Sequence, residues 1–405
     1  MPNETKAGDV GAFTNHDPAN TPADSYAKYA EWQEKCPVTH SDAFGGFFLF
    51  NRYADVRAAA KDWQTYSSAE GVLLPPLPVQ AWAIEADPPQ HTRERGLFKA
   101  VLNNDMYRTF EEHAVEDATR LIEAFLPDGE VDLVEALCEP IPVLTICGMI
   151  GLDADEAIRV RPVAIKAFEA TQDTALAKEA NAVLNALVKE FSDSRRAAPR
   201  DDFMTRVATE PIEGKMFSDD EIGNLLQGIL IAGHHTTTSA MSSLFRRILT
   251  EPGLKQQLLD DPDLIRPAIE ETLRIHTPLH MFARTTQCPV TVSDVEIPDH
   301  SKVMLNWAAA NRDPEAFENP DEFRLDRSPN PHVAFGFGVH TCVGAQLARI
   351  ELQVVTRELL RLVPDIELAA EPPEYRFSGG NLASLSELRA KFEPRIDEDT
   401  DQEKG

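Results

Sequence analysis

The stretch AFGFGVHTCVG, residues 334–344, holds a single cysteine, Cys342, among glycines, two aromatic rings and one imidazole. A thiolate rather than a thiol binds metal, and it needs backbone N–H donors and a nearby helix N-terminus to hold its charge. The helical pattern GAQLARIELQVVTRELLRLV begins at Gly344, so Cys342 faces the positive end of that helix. Gly336, Gly338 and Gly344 carry no Cβ and let the backbone approach something bulky and flat. The loop has no second cysteine and no histidine at ligand spacing, so a haem held by one axial thiolate fits better than zinc or an iron–sulfur cluster. His340, two residues before the cysteine, is placed to meet a haem propionate. The other cysteines, Cys36, Cys138, Cys147 and Cys288, are widely spaced with no C-x-x-C pair, which suggests neither a disulfide framework nor a cysteine zinc site.

A second group with chemical potential is AGHHTTT, residues 232–238, in the middle of an otherwise apolar helical pattern. One threonine there would bond back to the preceding turn. Five polar side chains in a row at the centre of a buried helix suggest a local groove holding water or ligand. His234 and His235 do not make a hydrolytic metal site, because adjacent helical residues point about 100° apart and no H-E-x-x-H motif exists. Glu271 and Arg274, three apart on one helix face, read by themselves as a surface ion pair of little worth.

These groups need a frame. Helical apolar spacing runs through 25–35, 52–62, 91–195 with breaks at 126–130 and 151–155, 217–253 and 261–279, whereas β-branched runs such as VTVSDVEI are few. The expectation is a mainly α fold with small β-sheets. Ser218 stands three residues before Glu221, a capping-box spacing, and the helix it opens is long enough to span about 50 Å. The apolar, Pro-rich stretch 71–90 is expected to cover something, and the punctuated coil 311–338 is long enough to expect a functional role. No linker divides the 405 residues, so the organisation expected is a loose leader over 1–24, one domain over 25–395 and a frayed acidic tail over 396–405. The formal net charge of −28 argues against nucleic acid and anionic membrane as partners. No apolar run reaches 18 residues and no signal-peptide layout opens the chain, so a cytoplasmic protein is expected.

F335-G-F-G338-V-H340-T-C342-V-G344 resembles the signature loop of the cytochrome P-450 superfamily, the haem-thiolate monooxygenases. HTRER at 91–95, AGHHTT at 232–237, ETLR at 271–274 and ANRDPEAF…FRLDR at 310–327 match four further family elements in the family's order, and the likeness covers roughly 25–395. The resemblance implies a haem b between the long central helix and the helix after the cysteine loop, with Cys342 as iron ligand and Phe335 covering it. His91, Arg95, Arg284 and His340 would then share the propionates, and Gly336, Gly344, Ala232 and Gly233 would lie against the cofactor. Glu271, Arg274 and Arg327 look in this family like a buried triad fixing the coil before the loop. Removing one member would then cost roughly 3–5 kcal/mol.

The activity implied is insertion of one atom of O₂ into a hydrophobic or aromatic small molecule. NAD(P)H would supply electrons through a separate ferredoxin and ferredoxin reductase, with Arg349 on the docking face or else a plain surface arginine. A monomer is expected. Thr236 matches the family's proton-relay threonine, but the usual acid before it is His235 here. That imidazole either replaces the acid or merely fills the groove, while His234 is expected to pack away from the haem. By family position the substrate pocket takes in Leu73, Leu74, Leu77, Trp82, Gly228, Ile229, Leu279, Phe282 and Leu382. The rival readings are a peroxygenase or isomerase on the same fold and, further off, a non-catalytic haem sensor.

Overall fold

Helices carry about half of the structure, and some are opened by capping residues of their own. The long ones are α1 (Pro22–Lys35), α2 (Tyr53–Lys61), α3 (Gln90–Val101), α4 (Asn104–Phe125), α5 (Pro140–Ile150), α6 (Thr174–Ala197), α7 (Asp219–Thr250), α8 (Ile265–Ile275) and α9 (Ala345–Leu362). This computed structural model describes residues 7–395 apart from 77–80, 82, 103, 154, 157–158, 161–162, 164–173, 212–213 and 215. Leu77, Trp82 and the expected tail 396–405 therefore lie outside the described residues.

At the start of α7 the Ser218 hydroxyl accepts from the Glu221 N–H while the Glu221 carboxylate accepts from the Ser218 N–H, so two otherwise orphaned donors are satisfied together. The helix threads two cores. Ile222, Leu225, Leu226 and Leu230 pack with α5 and α6, whereas Met241, Leu244, Phe245 and Ile248 pack with α4, α8 and α9. Each such side chain contributes about 1.5–3 kcal/mol on burial, so both ends of α7 are firmly anchored. The polar run 232–238 falls between the two cores.

A six-stranded sheet lies to one side. Its strands are β1 (Gly8–Asp9), β2 (Val38–Ser41), β3 (Phe47–Phe50), β4 (Tyr66–Ser67), β5 (Met281–Thr286) and β6 (Lys302–Asn306), in the order β1-β2-β3-β6-β5-β4. Strand alternation in β5 sends Met281 and Ala283 into a core with Phe13, Tyr29 and Leu74, and leaves Phe282 and Arg284 for the opposite face. A hairpin of β7 (Arg376–Ser378) and β8 (Leu382–Ser384) stands near α7, with Leu382 bridging to Leu279.

The expectation of a loose leader over 1–24 does not hold from Gly8 onward. Gly8 pairs with Thr39 in parallel register, buried Phe13 meets Trp32 edge-on at 4.9 Å, and Asn15 donates to the Tyr29 hydroxyl at 3.0 Å. Helix α1 already begins at Pro22, where Thr21 and Asp24 close a capping box. The polar composition hid this docking, because one phenylalanine suffices once it finds an aromatic cluster. Among the described residues no helix is long and apolar enough to cross a membrane.

Candidate active site

The cysteine loop is closed by its own backbone. Cys342 N–H donates to the Phe335 carbonyl at 2.8 Å, Gly336 N–H to Val333 at 2.9 Å, and the Thr341 hydroxyl to Gly338 at 2.8 Å. Gly338 has φ +76°, and a Cβ there would collide with the Ala60 carbonyl at the end of α2. This glycine therefore serves contact with the protein itself rather than with a flat ligand. The Cys342 sulfur borders an internal cavity, which gives it accessible surface although protein encloses it elsewhere. Desolvation pushes its pKa up, opposed by the Gly344 N–H and by the charges of Arg95 and Arg349.

Across the cavity stands α7. Gly228, Ile229, Ala232, Gly233, Thr236, Thr237 and Ala240 all line the space, a spacing of about four that marks a single helix face. Thr236 donates its hydroxyl back to the Ala232 carbonyl at 2.7 Å. A Cβ at Gly233 would lie 2.8 Å from Ile146 Cδ1, so this glycine also admits α5 against the helix. The polar run does not form one continuous groove. Thr238 ties the helix to the Cys138 carbonyl at 3.0 Å, Ser239 bonds the Ala383 carbonyl on β8, and the rings of His234 and His235 lie 4.2 Å apart off the lining face. His234 is buried. Burial, with His234 beside it, pushes the His235 pKa down to about 3, so the imidazole is neutral near pH 7.

Leu279 and Phe282 close the cavity beside Val72, Ala83 and Ile84 from the 71–90 stretch. Three pocket expectations need correction. Leu74 packs into the core with Phe13 and Tyr29, leaving Val72 to face the space, and Leu73 is not on its wall. Leu382 is not on the wall either, and pairs with Leu279, which is. Phe98 and Leu102, missed in the sequence, also line it. They stand three and seven residues after Arg95, a helical period that could have found them. A second cavity of about 400 Å³, between α1, His276 and Tyr375, holds neither Cys342 nor Thr236 and has no part in this site.

Nitrogen bases gather along one edge. Arg95 and Arg284 line the cavity with His340, and the rings of His91 and His340 are 4.3 Å apart. Arg284 is 3% exposed, and among the described residues its one hydrogen bond is to the Ala283 carbonyl at 2.7 Å. Desolvation pushes its pKa down to about 10, with Asp87 partly opposing. Arg95 bonds the Thr341 carbonyl. Among the described residues neither guanidinium has a carboxylate partner. Among the described residues His340 Nε2 is buried without a hydrogen bond, and desolvation together with Arg284, His91 and Arg95 pushes its pKa down to about 3. An edge of cations and imidazoles with so little negative charge fits a dianionic ligand.

Behind the loop, Glu271 accepts from Arg274 at 2.7 and 2.8 Å, from Arg327 at 2.9 Å and from Asn330 at 3.1 Å. The side chains of Glu271, Arg274 and Arg327 are 1%, 0% and 6% exposed, so this is no surface pair. Its neighbour Glu270 binds Arg349 through both oxygens, at 2.6 and 2.9 Å, and His332 at 2.9 Å. Arg349 lies over the Phe335 ring at 4.4 Å and is not a plain surface arginine.

The family model of cytochrome P450 matches residues 159–363. The beta-dihydromenaquinone-9 omega-hydroxylase of Mycobacterium tuberculosis is 35% identical over 402 residues, covering 95% of this chain and 79% of that one. The steroid C26-monooxygenase of Mycolicibacterium smegmatis is 33% identical, covering 81% and 83%. The structure of Mycobacterium marinum cytochrome P450 CYP268A2 with pseudoionone matches at a TM-score of 0.87 and 27% identity, covering 96% and 100%. Fold and relatives together define an oxidoreductase of the haem-dependent monooxygenase class, using O₂. The chain belongs to the cytochrome P450 family.

Proposed function

We propose that this monooxygenase holds a haem b on Cys342 and hydroxylates a hydrophobic or aromatic small molecule. The observation that carries the reading is the opposition, across one cavity, of the Cys342 sulfur and the Thr236-bearing face of α7. Once bound, the haem supplies activation of O₂ and transfer of one oxygen atom to substrate. Iron ligation would hold Cys342 as thiolate, which desolvation by the chain alone opposes. Arg95, Arg284, His340 and His91 would hold the two propionates by charge-assisted bonds. Phe335, Gly336 and Gly344 lie against the thiolate side, and Ala232 and Gly233 leave room on the other.

The Thr236 hydroxyl is a proton-bearing group on the cavity wall, and it can turn from the Ala232 carbonyl to hold a proton donor in the cavity, opposite the Cys342 sulfur. His235 is neutral and off that wall, so it supports the arrangement from behind. Leu279, Phe282, Ile229 and Gly228 exclude water and bind apolar surface. The names of the relatives, acting on a dihydromenaquinone and on a steroid, support a hydrophobic substrate. Electrons come from NAD(P)H through a separate ferredoxin and ferredoxin reductase, in the cytoplasm, to a monomeric enzyme. The test is the spectrum of the reduced, carbon monoxide-bound protein. A thiolate-ligated haem gives a strongly red-shifted main band that Cys342→Ala should abolish, and its absence from the unmodified protein overturns the reading.

A further inference from the structure

Glu270 and Glu271 are neighbours on α8, and adjacent helical side chains point about 100° apart, so they serve different partners. Glu271 takes the coil before the cysteine loop through Arg327 and Asn330. Glu270 takes the chain on both sides of Cys342. On one side it binds His332, whose Nδ1 accepts the Ala334 N–H at 3.3 Å, which leaves Nε2 to donate to the carboxylate. On the other side it grips Arg349 through both oxygens. The Arg349 guanidinium covers the ring of Phe335, whose carbonyl receives the Cys342 N–H. The charges of Arg95 and Arg349 both oppose the desolvation of the Cys342 sulfur.

We propose that Glu270 is a positioning residue for the thiolate, fixing Arg349 against the loop and balancing its charge so that the pair sets the electrostatic field at Cys342. This rests on the reading of Cys342 as axial ligand. A cation beside an iron–thiolate centre favours the reduced, more negative state, and an anion disfavours it. The clamp therefore makes a prediction of sign. Glu270→Gln leaves Arg349 unopposed and should raise the haem reduction midpoint, whereas Arg349→Gln leaves Glu270 unopposed and should lower it. The double variant should return close to the unmodified value. A role in packing alone would lower stability in both single variants and give their midpoints no opposite signs.

Redox titration of the haem-loaded protein, with the carbon monoxide spectrum of each variant, tests this. If Cys342→Ala keeps the red-shifted band, the ligand reading fails and the proposal falls with it. If that variant loses the band and the two single variants shift alike or not at all, the proposal alone is overturned. Should Glu270→Gln fail to fold, Arg349→Gln and Arg349→Lys decide the matter. The glutamine should lower the midpoint and the lysine, keeping the charge, should leave it near the unmodified value, and equal effects of the two would overturn the clamp.

Discussion

Arg327 Nε lies 2.9 Å from Glu271 Oε1, although 56 residues separate them in the chain. The contact fastens the irregular coil to α8, and Arg327 spends its remaining donors on the carbonyls of Glu318, Asn319 and Glu322. A coil without helix or strand is thereby given fixed hydrogen-bond partners, and the cysteine loop that follows it inherits a fixed start.

Glu271→Gln should lower unfolding stability by about 3–5 kcal/mol, because Arg274 would remain buried without its counter-charge. Arg120→Ala, at an exposed pair with Asp117, should cost less than about 1 kcal/mol. Urea unfolding of both variants checks the contrast, and similar losses would mean that the burial of the triad is energetically idle.

Arg284→Gln should act with opposite signs on two measurements. It removes a desolvated cation that bonds no carboxylate among the described residues and is only partly offset by the charge of Asp87, so the haem-free chain should become more stable, while haem affinity should drop. Thermal unfolding of the haem-free protein and a haem titration report the two. Unchanged affinity would remove Arg284 from the cofactor site.

Glu351 is buried on α9 at the cavity, where desolvation pushes its pKa up to about 7, with Thr145 partly opposing. Between pH 4.5 and about 7 the folded chain keeps a proton that the unfolded chain has released. The stability this carboxyl allows is therefore complete below pH 4.5 and is lost as pH rises through about 7. Glu351→Gln cannot ionise, so its stability relative to the parent should grow across that window, by on the order of 3 kcal/mol. Equal differences at pH 4.5 and pH 8 would count against a protonated Glu351.

Thr236→Ala should divert reducing equivalents from product to peroxide, whereas His235→Phe should leave the product formed per NAD(P)H little changed. The hydroxyl lines the cavity, and the imidazole, neutral near pH 7 with a pKa down to about 3, does not. Comparable uncoupling in the two variants would return His235 to the proton path, and His235→Asp would then show whether a carboxylate serves better.

What the sequence made legible follows from how local each signal is. The start of α7 is written in Ser218 and Glu221, four consecutive positions whose capping bonds need no other part of the chain. The cysteine loop is equally local, with its glycines, its ring and its thiol inside eleven residues. The burial of Glu271 and Arg274 could not be read from their i,i+3 spacing, which is the same for a worthless surface pair, because it depends on a coil some fifty residues later. Leu74 was misplaced for a related reason. An apolar residue in a Pro-rich stretch can face a cavity or a core, and the choice is made by packing against Phe13 and Tyr29 from an earlier part of the chain. Glu270 escaped notice because its partners lie 62 and 79 residues away.

The order of the six-stranded sheet has a consequence for synthesis. Phe48 on β3 has its partner, Val303, on β6, so a strand made early must wait for one made late. At about 5–20 residues per second on the ribosome the wait is tens of seconds. Throughout it the apolar strand Phe47–Phe50 has one edge without its neighbour and is open to wrong pairing. Nascent chains arrested before residue 300 should therefore be cut by protease within 36–67, and chains extended well past residue 306 should resist. Early resistance would mean that the first strands fold as a unit of their own, and a bound chaperone during that interval would be guarding this one edge.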